Sequence, residues 1–240
     1  MIEFGHGTHA GLRRKRNEDT YCANASIGLF LVADGMGGHG HGERAAALAR
    51  DTVAERIRAG WPLDKAIHAA AECVTRMRIE TADARPMGTT VAALHLSEDR
   101  FAAAWVGDSR IHLACYGQLH LLSHDPSLMQ VLMEDGVLDD ADEADDAEWE
   151  PPRNTLTRAL GMTRPESLEV ETVNGHVRPG MRFLLCTDGL TESVPTPALA
   201  STLSRDDIAA QEAVDHLLLA ALDAGGQDDM AAIVLRCVPG

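Results

Sequence analysis

The chain has 240 residues, of which 45% are hydrophobic and 24% are charged, and its formal net charge is −16. These values are typical of a globular protein of one or two domains, and the acidic balance argues against nucleic-acid binding, which needs a basic surface. No apolar run approaches the roughly 18 residues that cross a bilayer, and the N-terminus lacks the features of a signal peptide, so we expect no membrane association. The five cysteines occur singly, which indicates a reduced, cytoplasmic protein without structural zinc or a disulfide framework.

Hydrophobic periodicity predicts strands and helices in blocks along the chain. The first half is predicted to contain strands within 1–9 and 20–33, helices over 42–59 and 63–82, and a meander of strands at 89–96, 100–107, 110–116 and 119–122. The connections within the meander are short, so its strands must pair antiparallel. The second half is predicted to contain strands near 168–173, 181–187 and 231–237, and a helix over 206–222.

The order of these elements favours one domain of the α+β class over a doubly wound parallel sheet, because strands and helices do not alternate strictly. We expect a single domain over residues 1–240, with an insertion at 123–152. Ten acids and no base lie between Glu134 and Glu150 within that insertion. Such a run is either a solvated surface or an element that attracts basic peptides, and the sequence leaves both interpretations open.

Three apolar runs in the chain stop abruptly at an aspartate. The runs 28–33, 101–106 and 182–186 are followed by Asp34, Asp108 and Asp188, each next to a glycine. A buried strand that ends in this way delivers its acid to the rim of a sheet. Two further acids, Asp19 and Asp228, lie in loop-like surroundings. Each acid alone is explained by a turn, since Asp-Gly favours turns regardless of function.

Carboxylates that meet at one rim repel one another unless a cation neutralises them, so the set predicts a metal site. Oxygen ligands favour Mg²⁺ or Mn²⁺, whereas zinc prefers histidine or cysteine. Several acids with room for two ions are typical of two-metal phosphoester hydrolysis. An arginine suits the oxygens of a phosphate, and the basic cluster 13–16 lies just before Asp19.

A series of short motifs follows one order along the chain from about residue 2 to residue 237. They are Thr8-x-x-Gly11-x-x-Arg14-x-x-Asn17-Glu18-Asp19, Asp34-Gly35-Met36-Gly37-Gly38-His39, Met87-Gly88-Thr89-Thr90, Gly107-Asp108-Ser109-Arg110, Arg158-Ala159-Leu160-Gly161, Thr187-Asp188-Gly189-Leu190 and Gly226-Gln227-Asp228. Taken together, this ordered set resembles the protein phosphatase 2C family, and in particular its short, stand-alone bacterial members. The resemblance implies a four-layer α-β-β-α sandwich, with two antiparallel sheets flanked by helix pairs and metals in the cleft at one end.

The resemblance also implies roles for individual residues. Asp34 would bridge two Mn²⁺ or Mg²⁺ ions, and the Gly35 carbonyl would bind the first. The second ion would be held by Asp19, Asp188 and Asp228, while Asp108 and Asp188 match the place of a weaker third ion. Arg14 matches an arginine that grips the phosphate, and His39 matches a proton donor to the leaving oxygen. Asp229 departs from the family pattern, which usually has asparagine after the metal-binding aspartate.

The implied function is that of a metal-dependent protein serine/threonine phosphatase, which hydrolyses phosphoserine and phosphothreonine by direct attack of metal-bound hydroxide. The alternatives are a catalytically weak regulator of the same fold that binds phosphoproteins, and a hydrolase of a small phosphoester. The expected partners are phosphorylated proteins, together with a serine/threonine kinase and its substrates, and the expected form is a cytoplasmic monomer.

Overall fold

The computed structural model describes residues 1–37, 40–81, 86–115, 117–122 and 158–238. Its strands are β1 (Ile2–His9), β2 (Thr20–Asn24), β3 (Leu29–Ala33), β4 (Gly35–Met36), β5 (Gly88–Thr89), β6 (Val91–Ser97), β7 (Arg100–Val106), β8 (Arg110–Cys115), β9 (Gln118–Leu121), β10 (Glu171–His176), β11 (Arg182–Cys186) and β12 (Met230–Cys237). Its helices are α1 (His41–Arg58), α2 (Leu63–Glu80), α3 (Asp188–Ser193), α4 (Thr196–Leu203) and α5 (Ala210–Asp223).

The strands form two large sheets and one small one within the described residues. The first sheet has the order β1-β12-β11-β8-β9, and the second has the order β10-β7-β6-β3-β2. Every pairing in them is antiparallel, as the short connections of the meander predict. The small sheet pairs β4 with β5, immediately after the strand that ends before Asp34.

Alternation of side chains along the strands produces three hydrophobic layers. The inner layer fills the space between the sheets, where Phe101 and Phe183 meet with ring centroids 5.2 Å apart. The outer face of the second sheet packs against α1 and α2, and the outer face of the first sheet packs against α3, α4 and α5. The predicted four-layer sandwich of the α+β class is therefore confirmed.

Two arginines fasten the segment between α4 and α5 to the first sheet. Arg182 and Arg236 lie opposite each other on β11 and β12. Arg182 donates to the carbonyl of Leu203 and to the Asp206 carboxylate, and Arg236 donates to the carbonyl of Ile208. Arg182 thus supplies a donor to a carbonyl that the short α4 leaves unsatisfied at its end, and Arg236 fastens the chain just before α5.

Several predicted boundaries differ from the structure. The strand predicted at 168–173 lies at Glu171–His176, because Leu168 is buried against α2 at the end of a 3₁₀ turn instead of beginning a strand. The helix predicted over 206–222 begins at Ala210, where the Glu212 carboxylate accepts the Ala209 N–H at 2.8 Å. Helices α3 and α4 were not predicted, since six and eight residues are too few for a clear helical period.

Two further expectations from the sequence concern the insertion and membrane-spanning helices. The insertion predicted at 123–152 lies outside the described residues. In the part of the chain that the structure describes, no helix combines the length and the apolar character that crossing a membrane requires.

Candidate functional site

Three strand ends bring Asp34, Asp108 and Asp188 together at one end of the sandwich. Asp34 follows β3, Asp108 follows β7 after Gly107, and Asp188 follows β11 as the first residue of α3. One carboxylate oxygen from each lies within 4.8 Å of those of the other two. Because β3 and β7 belong to one sheet and β11 to the other, the cluster joins the two sheets.

Hydroxyl groups fix the backbone on which two of these acids stand. The Asp34 N–H donates to Thr90 Oγ1 at 3.0 Å, and the Asp34 carbonyl accepts the Thr90 N–H at 2.9 Å and the Thr89 hydroxyl at 2.8 Å. Thr90 Oγ1 is in turn 2.7 Å from Ser109 Oγ, one residue after Asp108. The sequence placed both threonines only at the start of the strand predicted at 89–96, so this positioning role was not predicted.

Asp19 enters the same site from the start of β2. Its N–H donates to Asn17 Oδ1 at 3.0 Å, and Asn17 Nδ2 donates to the Thr8 hydroxyl at 2.8 Å. The Asp19 side chain is buried, and its Oδ2 atom has no hydrogen-bond partner among the residues that the structure describes. An unsatisfied buried carboxylate oxygen is costly, which indicates that a ligand completes its surroundings.

Burial and mutual repulsion raise the pKa of the central acids. Burial raises the pKa of Asp19 well above its ordinary value, and the Asp34 carboxylate raises it further. Burial, with Asp108 and Asp228 nearby, raises the pKa of Asp34 to about 6, although a hydrogen bond with Asp19 opposes the rise. Burial and the charges of Asp34 and Asp108 raise the pKa of Asp188 to about 7.

These carboxylates fit a site for hard divalent cations. All the converging donors are oxygens, as Mg²⁺ and Mn²⁺ prefer. Burial and the accumulated negative charge both raise the pKa of an acid in such a cluster, and a bound cation opposes both effects. The set Asp34, Asp108 and Asp188 therefore offers three ligand oxygens, and the buried Asp19 offers another beside them.

Asp228 and Arg14 form an ion pair at the edge of this cluster. Arg14 Nη2 lies 2.5 Å from Asp228 Oδ2, and this bond raises the pKa of Arg14. The Arg14 side chain is 52% exposed and that of Asp228 is 34% exposed. The second oxygen of Asp228 accepts the Asp229 N–H at 2.8 Å. Each Asp228 oxygen thus accepts one hydrogen bond and keeps a second lone pair with which it can bind a cation.

Gly35 packs its backbone against the start of α1. A Cβ atom at Gly35 would lie 2.2 Å from the Gly42 carbonyl oxygen, so only glycine allows this approach. The Gly35 N–H donates to the Glu18 carbonyl at 3.2 Å, and the Glu18 carboxylate accepts the Gly40 N–H at 3.2 Å. Glu18 therefore connects Asp19, Gly35 and the first turn of α1. His39 lies outside the described residues.

Comparison with known proteins gives consistent matches over nearly the whole chain. The family model described as protein phosphatase 2C matches residues 7–223. The serine/threonine protein phosphatase PstP of Mycobacterium tuberculosis is 30% identical over 244 residues, which cover 99% of this chain and 45% of PstP. The chain thus spans about half the length of that curated relative.

Two further matches extend over almost the full length of both compared chains. The serine/threonine phosphatase stp of Listeria monocytogenes is 30% identical over 244 residues, which cover 95% of this chain and 93% of stp. Among solved structures, the catalytic domain of PstP in complex with two manganese ions has a TM-score of 0.79 and 28% identity, covering 99% of each chain.

Proposed function

Because the chain belongs to the protein phosphatase 2C family, we propose that it is a metal-dependent serine/threonine protein phosphatase. The observation that supports this most directly is the convergence of Asp34, Asp108 and Asp188, with ligand oxygens within 4.8 Å of one another. The substrates are phosphoserine and phosphothreonine in proteins, as expected from the relatives named serine/threonine phosphatase.

The proposed cofactors are two Mn²⁺ or Mg²⁺ ions, with a weaker site for a third. Asp34 and the Gly35 carbonyl would hold the first ion, and Asp19, Asp34, Asp188 and Asp228 would hold the second. Asp108 and Asp188 would hold the third. When bound, the ions would supply Lewis acidity and activate a water molecule for direct attack on phosphorus. The raised pKa values of Asp19, Asp34 and Asp188 are consistent with this assignment, because each marks a carboxylate without compensating positive charge.

The chain's own residues orient the phosphate. Arg14 is held at the edge of the cluster by Asp228, and about half of its side chain reaches solvent. A guanidinium there can donate two parallel N–H bonds to phosphate oxygens, which fixes the ester and offsets its charge beside so many acids. The Thr89 hydroxyl donates to the Asp34 carbonyl and the Thr90 hydroxyl accepts the Asp34 N–H, and these bonds hold Asp34 in place. We retain His39 as the proposed proton donor to the leaving seryl or threonyl oxygen.

The domain organisation, partners and cellular compartment of the protein are also proposals. We infer a single catalytic domain over residues 1–240 that acts as a monomer on phosphorylated proteins and opposes a serine/threonine kinase. All five cysteines are free thiols, which supports a reducing compartment such as the cytoplasm.

The direct test is hydrolysis of phosphoserine and phosphothreonine peptides with and without Mn²⁺. We expect turnover that requires Mn²⁺ and that Asp34→Asn abolishes, because the amide keeps the size but loses the charge shared by two cations. Asp51→Asn is the matched control, since the Asp51 side chain on α1 is 66% exposed and is not one of the candidate ligands.

The outcomes separate the alternatives. Peptide binding without turnover would identify a phosphoprotein-binding regulator, and hydrolysis restricted to small phosphoesters would identify a different hydrolase. Normal Mn²⁺-dependent rates in folded Asp34→Asn would refute the metal assignment.

A further inference from the structure

Asp229 is a buried acid that the proposed metal site does not use. It is 6% exposed, and both of its carboxylate oxygens accept backbone N–H groups. Oδ2 accepts the Glu18 N–H at 2.8 Å, and Oδ1 accepts the Gly11 N–H at 3.4 Å. These two N–H groups stand at the two ends of residues 11–18, which we call the arginine loop because Arg14 lies within it.

The arginine loop also packs directly against the turn that carries Asp229. A Cβ atom at Gly11 would lie 2.3 Å from the Asp228 carbonyl oxygen, so the two backbones touch. The Leu12 N–H donates to the Gly226 carbonyl at 2.6 Å. On the other side of the turn, a Cβ atom at Gly189 would lie 2.1 Å from the Asp229 carbonyl oxygen. The turn is therefore enclosed between the arginine loop and the start of α3.

A carboxylate is the side chain that suits this position. Two N–H groups face residue 229, and a carboxylate offers an acceptor to each. Asparagine offers one acceptor, and its amide N–H₂ would face the remaining N–H. The buried charge is further compensated by Arg14, whose pKa the Asp229 carboxylate helps to raise. The departure from the asparagine of the family pattern thus matches the local geometry.

We propose that Asp229 is a positioning residue that holds the arginine loop at both ends and thereby sets Arg14 beside the metal cluster. The proposal rests on the proposed function, in which Arg14 grips the phosphate. Asp229 itself touches neither the phosphate nor the cations. Its effect on catalysis passes through the placement of one guanidinium.

A double-mutant cycle with Arg14 tests this coupling. The variants are Asp229→Ala, Arg14→Ala and the double variant, with Asp51→Asn as the exposed control. We expect Asp229→Ala to lower kcat/KM for a phosphothreonine peptide by about 10–100-fold, because a misplaced group of this kind costs about that much. In the Arg14→Ala background the same change should cost less than about 3-fold, since residues that act through one contact are not additive.

Three further measurements distinguish positioning from general stability. Most of the loss of thermal stability caused by Asp229→Ala should remain in the Arg14→Ala background, because the bonds to the Gly11 and Glu18 N–H groups do not involve Arg14. Mn²⁺ affinity, measured by calorimetry without substrate, should fall by the same factor in both Arg14 backgrounds, because the Asp229 charge acts on Asp19 and Asp34 independently of Arg14. Saturating Mn²⁺ removes this effect from the kinetic comparison. Asp229→Asn should recover activity to within about 5-fold of the parent, because its one acceptor can keep the shorter bond to Glu18.

The possible results lead to distinct conclusions. Equal losses of kcat/KM in both Arg14 backgrounds would overturn the proposal. If Asp229→Ala does not fold, the double-mutant cycle with Asp229→Asn makes the same comparison, with a smaller expected change in kcat/KM. If Arg14→Ala itself costs nothing, the assigned role of Arg14 fails. In that case amide hydrogen exchange tests whether Asp229 holds the arginine loop. Faster exchange of the Gly11 and Glu18 amides in Asp229→Ala than in the parent supports that contact, and unchanged exchange refutes it.

Discussion

Neutralising Asp188 should make the metal-free protein more stable while it removes activity. The Asp188 pKa rises from 3.8 to about 7, so the folded state disfavours its ionised form. At about 1.4 kcal/mol per tenfold change in proton affinity, this rise corresponds to about 4 kcal/mol. Solvent screening of a partly exposed carboxylate reduces the figure to roughly 2 kcal/mol. Asparagine has no such cost at any pH.

One smaller term opposes the gain. Asp188 is the first residue of α3, where a negative charge interacts favourably with the helix dipole. Losing that charge costs about 0.3–1 kcal/mol. We therefore expect Asp188→Asn to raise the free energy of unfolding at pH 8 by about 1–2 kcal/mol, which corresponds to roughly 2–8 °C in Tm for a chain of this size.

The sign of the pH dependence follows from the raised pKa. Below about pH 4 the carboxyl is protonated in both states, so it contributes no difference. As pH rises towards 7 the unfolded state loses its proton first, and the metal-free parent loses stability relative to the variant. The advantage of Asp188→Asn should thus be larger at pH 8 than at pH 5.

Urea unfolding in the presence of EDTA at the two pH values measures this difference, with Asp51→Asn as the exposed control. Adding Mn²⁺ should stabilise the parent far more than the variant, because cations compensate the cluster only when all its ligands are present. A variant that is no more stable than the parent at pH 8, or a difference independent of pH, would refute the argument.

The remaining predictions concern the core, the arginine that bonds the end of α4, and the contact of Gly35 with Gly42. Phe183→Ala should lower the free energy of unfolding by about 3–5 kcal/mol in urea, because this fully buried ring lies in the inner layer. Arg182→Ala should cost about 2–4 kcal/mol by leaving carbonyls beyond α4 without donors, whereas the exposed Arg44→Ala should change stability by less than about 0.5 kcal/mol. Gly35→Ala should abolish calorimetric Mn²⁺ binding, since its Cβ would force Gly42 and the backbone after Asp34 apart.

The sequence predicted those parts of the fold that depend on local periodicity. The 3.6-residue period placed α2, observed at Leu63–Glu80, to within two residues at each end. Apolar runs that end in an acid placed Asp34, Asp108 and Asp188 at strand ends. Leu168 misled the prediction of β10, because a buried leucine in a 3₁₀ turn carries the same hydrophobic signal as a strand residue.

Contacts between distant segments could not be predicted in this way. The bond from Gly11 to Asp229 joins residues that are 218 positions apart, and that between Thr90 and Ser109 depends on the pairing of β6 and β7. A single sequence shows which residues can accept a hydrogen bond, but the partner is set by tertiary packing. The interpretations of His39 and of the acidic run at 134–150 stay predictions, since both lie outside the described residues.

Neutral groups hold the acids of the site in position, whereas little positive charge compensates them. Hydroxyl groups and backbone N–H groups hold Asp34, Asp228 and Asp229. Among the described residues, however, only one of the five candidate ligand carboxylates, that of Asp228, forms an ion pair, and its partner is Arg14. Positive side chains beside the buried acids would stabilise the metal-free fold, but they would also compete for the oxygens that cations need. Supporting the acids through neutral donors keeps their positions fixed and leaves the compensation of their charge to the cations, so stability without metal is reduced in favour of metal binding.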